Sequence, residues 1–234
     1  MRRHTATALV LTTLTALTVA GCSNDSASTS ASSSASSPAT STPRNGDSAP
    51  DAEPLSSAAL SKRLLTVEDL GEGYVRKAER AQHNDDVTVL GCPALDKLGG
   101  DAATGGTLNF PRKVKVAFSY GAASTSEVSE ELYSDTAQKL SEGVGRIFDA
   151  MASCPKYQVV SGSTSIDMTT QKTAAPRLGD ERWSQLLTYS TGGQRSIVKQ
   201  TAVRTGGVLV ILTGSPGLVD AHVEKAVDKV HRAE

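Results

Sequence analysis

Histidine is scarce in this chain, with four in 234 residues, and no two of them sit where one metal could hold both. His4 lies in an N-terminal segment expected to be removed, and His83 falls in a polar loop. His222 and His231 share a C-terminal helix pattern, but a nine-residue spacing puts them two and a half turns apart. The spacings HExxH, GxSxG, GxxxxGK[ST] and GxGxxG are all missing. Cysteine is as sparse, and Cys22, Cys92 and Cys154 have no second cysteine or histidine at zinc-ligand spacing. No metal, no cofactor and no catalytic residue is expected. Neither sign of charge dominates, with 24 Lys and Arg against 25 Asp and Glu. Loss of Arg2 and Arg3 with the N-terminal segment would leave 22 against 25, a formal charge of −3. Such a surface has no electrostatic footprint for nucleic acid or for an anionic lipid layer.

The weaker chemical signals have plainer explanations. Ser153-Cys154-Pro155-Lys156 and Ser196-Ile197-Val198-Lys199 match Ser-x-x-Lys, in which an amine can activate a serine. Neither is followed by Lys-Thr-Gly; Lys172-Thr173-Ala174 lacks the glycine. Ser196 also lies in a predicted strand, where residues i and i+3 point to opposite faces. The carboxylate pairs Asp85-Asp86 and Glu130-Glu131 are adjacent, so they diverge and read as solvated faces. Ser215-Pro216-Gly217 opens the last helix and presents free N–H groups, as most helix starts do.

What the chain does have begins at its N-terminus. Arg2 and Arg3 precede a mostly apolar stretch over residues 6–20, too short and too weakly hydrophobic to persist as a spanning helix, which needs about 20 apolar residues. The stretch ends in Val19-Ala20-Gly21-Cys22, which resembles a bacterial lipobox. That resemblance implies a signal peptide over 1–21 and a diacylglyceryl group on the Cys22 thiol, which becomes the mature N-terminus. The alternative is an ordinary secretory signal cleaved near Ala20. Two acyl chains suffice for stable anchoring where one does not. The membrane partner is therefore reached through N-terminal acyl groups, on the extracytoplasmic face.

Residues 22–57 form a Ser, Ala, Thr and Pro-rich linker with no apolar residue bulkier than alanine before Leu55. Such a segment cannot bury enough surface to offset its ordering entropy. As a coil it spans roughly 30–35 Å and holds the domain off the bilayer.

A single domain is expected over 58–234. A helical piece over 59–65 precedes Thr66, an N-cap for Glu68 and Asp69, with Gly71 and Gly73 ending the turn. Strands are expected over 74–78 and 114–120, with a short helix over 94–98 between them. Ser124 and Glu127 form a capping-box pattern, and Val128, Leu132, Leu140, Val144, Phe148 and Met151 then recur at helical spacing to Ser153. Strands over 157–161, 165–171, 180–191 and 195–205 follow, the last two joined by Gly192-Gly193. The run 208–212 is apolar on both faces and reads as a central strand, before a terminal helix carrying Val219, Val223, Ala226, Val227 and Val230. The order predicts an α+β fold: an antiparallel β-sheet packed with a long central helix and a C-terminal helix.

With Cys22 assigned to lipid, Cys92 and Cys154 remain as an even pair in an oxidising compartment, which favours a disulfide over two separate buried thiols. The few aromatics draw attention too. Phe118, Tyr120, Trp183 and Tyr189 are candidates to line an apolar ligand pocket, with core packing as the alternative.

Several stretches, in this order, resemble the PknH-like extracellular sensor-domain family of receptor kinases and free-standing lipoproteins of actinobacterial type. They are Leu64-Leu65-Thr66-Val67-Glu68-Asp69-Leu70-Gly71, Gly91-Cys92-Pro93, Ser153-Cys154-Pro155, Leu178-Gly179-Asp180 and Val203-Arg204-Thr205-Gly206-Gly207-Val208. The resemblance implies an α/β sensor module with a central cleft and no catalytic residues. Its kinase-type members typically carry two disulfides, where this chain can form one, and no kinase accompanies the domain here. The expected function is a membrane-anchored extracytoplasmic lipoprotein that binds a small molecule, a lipid or an envelope protein. A structural or assembly lipoprotein is the first alternative and an envelope hydrolase the second.

Overall fold

A computed structural model of the protein describes residues 53–78, 87–99, 102, 110–121 and 126–232. Its elements run α1 (Ser57–Ser61), α2 (Val67–Leu70), β1 (Tyr74–Arg76), β2 (Val87–Leu90), α3 (Pro93–Asp96), β3 (Lys113–Tyr120) and β4 (Glu127–Ser134). They continue with α4 (Ala137–Ser153), β5 (Lys156–Ser161), β6 (Thr164–Lys172), β7 (Glu181–Thr191), β8 (Gln194–Thr205), β9 (Val208–Gly214) and α5 (Pro216–Arg232). The strands make a nine-stranded sheet in the order β1-β3-β4-β9-β8-β7-β6-β5-β2, antiparallel at every pairing. This is the expected α+β architecture.

Side chains alternate across a strand, so each strand offers a row to either face. On one face Phe118, Val128, Val203 and Leu212 meet Val219, Val223 and Val227 of α5, with Leu60, Leu64 and Leu65 closing the same cluster. On the other face α4 lays Leu140, Val144 and Phe148 on Ala202, Leu209 and Ile211. Farther along that face, Met151 joins Val159, Met168 and Leu187 around Cys92 and Leu95. β9 has helices on both sides, and all but one of its residues are buried. The two-sided apolar run of the sequence has that cause.

Two expectations are corrected. Residues 127–134 are strand β4, not the first turns of the long helix. Val128 and Leu132 are four apart, which suits a helix, but they are equally two steps apart on one strand face, with Glu130 between them. The helix starts at Ala137, where the Thr136 side chain accepts the N–H of Lys139. The same shift overturns the reading of Glu130 and Glu131 as a solvated face. They point to opposite faces of β4; Glu130 is 1% exposed, and Glu131 bonds Lys115 and Tyr133. Strand β2, paired with β5, was not expected.

Order also begins earlier than residue 58. The N–H of Leu55 donates to Ser134 Oγ at 2.8 Å, and Ser56 caps α1 by accepting the N–H of Ala59. Cys22, the rest of the linker to residue 52, His83, Asp85, Asp86 and Ser124 lie outside the described residues.

Candidate functional site

Helix α4 and strand β7 build the site. Leu140, Val144, Phe148 and Met151 hold α4 on the sheet, and the helix stops at Cys154, just before Pro155. Cys154 and Cys92 lie at disulfide distance, with Cα atoms 5.6 Å apart. Cys92 is also the residue that precedes α3, so the pair ties the foot of α4 to that short helix. Along β7, Trp183, Gln185, Leu187 and Tyr189 alternate toward α4. Leu187 and Tyr189 pack near the cysteines, whereas Trp183 sits against Phe148, ring centroids 6.3 Å apart and tilted by 34°.

Beside that ring pair opens a cleft of about 300 Å³ between α4 and the β6–β7 turn. Phe148 and Trp183 give it an apolar wall, Gln185 lines it, and Asp149, Lys172 and Arg182 border it. Gln185 is 2% exposed; its amide donates to Gln200 Oε1 at 2.9 Å and to Met151 Sδ at 3.1 Å. Both amide hydrogens are thus engaged, which fixes the orientation of the carboxamide. Thr173 Oγ1 donates to Ser184 Oγ at 2.9 Å, and Ser184 shares a hydrogen bond with Thr201 at 3.0 Å. Two wider cavities flank the domain: about 570 Å³ beside Phe110, Lys139 and Arg146, and about 470 Å³ beside Glu127, Arg195 and Ser215.

The four aromatic candidates do not share one pocket. Phe118 is 1% exposed in the cluster beneath α5. Tyr120 is largely exposed and rests on Tyr74, ring centroids 4.8 Å apart, and the Tyr74 hydroxyl meets His222 Nε2 at 2.6 Å. Tyr189 packs among Met168 and Leu187, where burial, then the neighbouring Tyr157, pushes its phenol up to about 12. Trp183 alone borders the cleft. Strand alternation explains the separation, because β3 turns Phe118 to the face opposite Trp183. Sequence reasoning missed Gln185, Lys172, Arg182 and Asp149. The one available signal was a glutamine inside the inward row Trp183-x-Gln185-x-Leu187, a polar group where burial demands a partner.

Ser153 and Ser196 form no serine–lysine pair. Ser153 Oγ donates to Ala150 O, and Lys199 is held by Asp220 at 2.5 Å.

The fold is similar to a solved structure, the extracellular domain of PknH from Mycobacterium tuberculosis. The match has a TM-score of 0.59 at 15% identity and covers 77% of this chain and 98% of that one. Likeness at that identity establishes the fold. No protein-family model matches this chain, and no curated protein matches it.

Proposed function

We propose that this chain is a membrane-anchored extracytoplasmic lipoprotein whose folded domain is a non-catalytic, sensor-like module that binds a ligand or partner at the cell envelope. The observation that carries the reading is the cleft at Trp183 on a fold shared with the extracellular domain of PknH. The sequence Val19-Ala20-Gly21-Cys22, followed by a spacer without bulky apolar residues, supports anchoring through acyl groups on Cys22. No helix among the described residues is long and apolar enough to cross a membrane. In this reading the two acyl chains hold the protein at the bilayer and the linker gives the domain its reach.

Two measurements test it. Metabolic labelling with a tagged fatty acid should mark the wild type and not Cys22→Ser; equal labelling of both rejects the anchor. Native mass spectrometry of the exported protein should show a bound small molecule that Trp183→Ala loses. A ligand-free protein that co-isolates only with one envelope protein would favour the assembly reading instead.

A further inference from the structure

We propose that the Trp183 cleft takes a free amino acid with an apolar side chain, held as its zwitterion. The proposal rests on the reading of that cleft as a binding site and adds the chemistry of what it holds. Size is the first constraint. About 300 Å³ lies at the lower end for ligand cavities, enough for one amino acid and too small for a folded peptide segment or a long acyl chain. Phe148 and Trp183 offer ring surface that favours an apolar body.

Strand register and helix periodicity decide which charges reach the cleft. Arg182 pairs with Val203, whose side chain packs beneath α5, so the Arg182 side chain leaves β7 on that face, away from Trp183. Lys172 pairs with Gln185, whose amide reaches Met151 of α4, so the Lys172 side chain leaves β6 on the cleft face. On α4, the lining residues are Phe148, Asp149 and Ala152. At about 100° per residue, Ala152 and Asp149 are turned roughly 40° and 100° from Phe148, both to the same side. Lys139, Glu142 and Arg146 line the wider cavity beside Phe110 instead. The cleft thus has one cation, Lys172, and one carboxylate, Asp149. Neither is in an ion pair among the described residues.

Gln185 adds a third polar point. It is 2% exposed, and Gln200 and Met151 engage its amide hydrogens, while its Oε1 accepts no hydrogen bond among the described residues. A buried acceptor in the cleft wall without a donor favours a ligand that brings one. One ammonium group on the ligand serves Asp149 and Gln185 together, and one carboxylate meets Lys172. Net charge selects nothing here; the separation of the two signs does. An α-amino acid carries both signs beside a single side chain, which the two rings require to be apolar.

Trp183 is the only tryptophan of the chain, so its fluorescence reports on the cleft directly. The exported protein is titrated with leucine, with isoamylamine (leucine without its carboxylate) and with isocaproate (leucine without its ammonium). The three share one apolar body and do not absorb with tryptophan. Leucine should bind roughly tenfold tighter than either analogue. Lys172→Gln should weaken leucine and isocaproate and leave isoamylamine unchanged. Asp149→Asn should weaken leucine and isoamylamine and leave isocaproate unchanged. Both side chains are exposed, and circular dichroism checks that the fold is kept. Leucine binding no tighter than one of its analogues overturns the zwitterion and leaves the cleft as a binding site. No fluorescence change and no heat with any of the three also overturns the proposal; native mass spectrometry of wild type and Trp183→Ala then decides whether the cleft binds a ligand at all.

Discussion

Gly179 packs directly on the backbone of Arg204: a Cβ placed on it would lie 2.4 Å from the Arg204 carbonyl oxygen. The Gly179 φ of +60° also favours glycine. Around this contact the N–H of Asp180 donates to Arg204 O at 2.8 Å, and the Asp180 carboxylate accepts the N–H of Gly206 at 2.8 Å. Two short motifs far apart in sequence, 178–180 and 203–208, thus form one lock at the start of β7. Gly179→Ala should destabilise the domain by about 1–3 kcal/mol, from strain and from displacing Arg204. Thermal unfolding should show a loss of several degrees, and an unchanged melting temperature would mean that the chain relaxes there without cost.

A bridge between Cys92 and Cys154, whose Cα atoms lie 5.6 Å apart, would close a loop of 62 residues. Chain-entropy arguments for a loop of that length give about 4 kcal/mol of stabilisation. Cys92→Ala with Cys154→Ala should therefore melt well below the wild type, and non-reducing peptide mapping of the exported wild type should show the linked pair. Two alkylatable thiols in the native protein would refute the bridge.

Strands that the sequence announces with a turn at each end were the most legible part. β7 and β8 meet at Gly192-Gly193, and β8 and β9 at Gly206-Gly207, close to where the sequence placed them. The start of α4 was not legible, because the buried row of β4 runs Val128, Glu130, Leu132, and a glutamate in the inward row breaks the apolar alternation that distinguishes a strand from a helix. The cleft was legible only through Trp183. Its border comes from three separate elements, and their meeting depends on strand register and on where α4 crosses the sheet. No local pattern encodes that.

The N-terminal boundary gives a further prediction. A chain starting at Ala58 loses the Leu55 N–H bond to Ser134, the Leu55 side chain packed on the core, and the Ser56 cap of α1. Loss of the cap alone costs about 1 kcal/mol. A chain starting at Glu53 keeps all three. The second should melt like the full-length protein and the first measurably lower; identical melting of both would show that Leu55 and Ser56 contribute nothing.

Glu130 carries the last prediction. Its Oε2 accepts the N–H of Leu65 at 2.6 Å, in the chain between α1 and α2, while its Oε1 has no hydrogen-bond partner among the described residues. Burial pushes the carboxyl from 4.5 up to about 8, against the pull of the Leu65 N–H and the Lys229 ammonium; the Asp69 carboxylate adds to the rise. Lys229 itself is paired with Asp69 on α2, so it does not neutralise Glu130. Between the two values the native protein holds a proton that the unfolded chain has released. Stability from this group is fully present below 4.5 and is lost as pH rises through about 8, with a slope of at most about 1.4 kcal/mol per pH unit. Glu181 works in the opposite sense, because the Arg204 guanidinium holds it below the usual carboxylate range and its contribution is lost only at acid pH. His222 titrates in the same window with the opposite sign, because burial and then Lys225 hold its imidazole below 6.5, so in urea unfolding between pH 5.5 and 8.5 it is the difference between wild type and Glu130→Gln that isolates Glu130. Glu130→Gln cannot ionise, and its amide places unpaired hydrogens where Oε1 now lies, so it should be the less stable protein at pH 5.5. Relative to the variant the wild type should lose stability as pH rises, so the gap should narrow by pH 8.5. Parallel pH profiles for the two proteins would show that Glu130 is ionised in the native fold throughout that range.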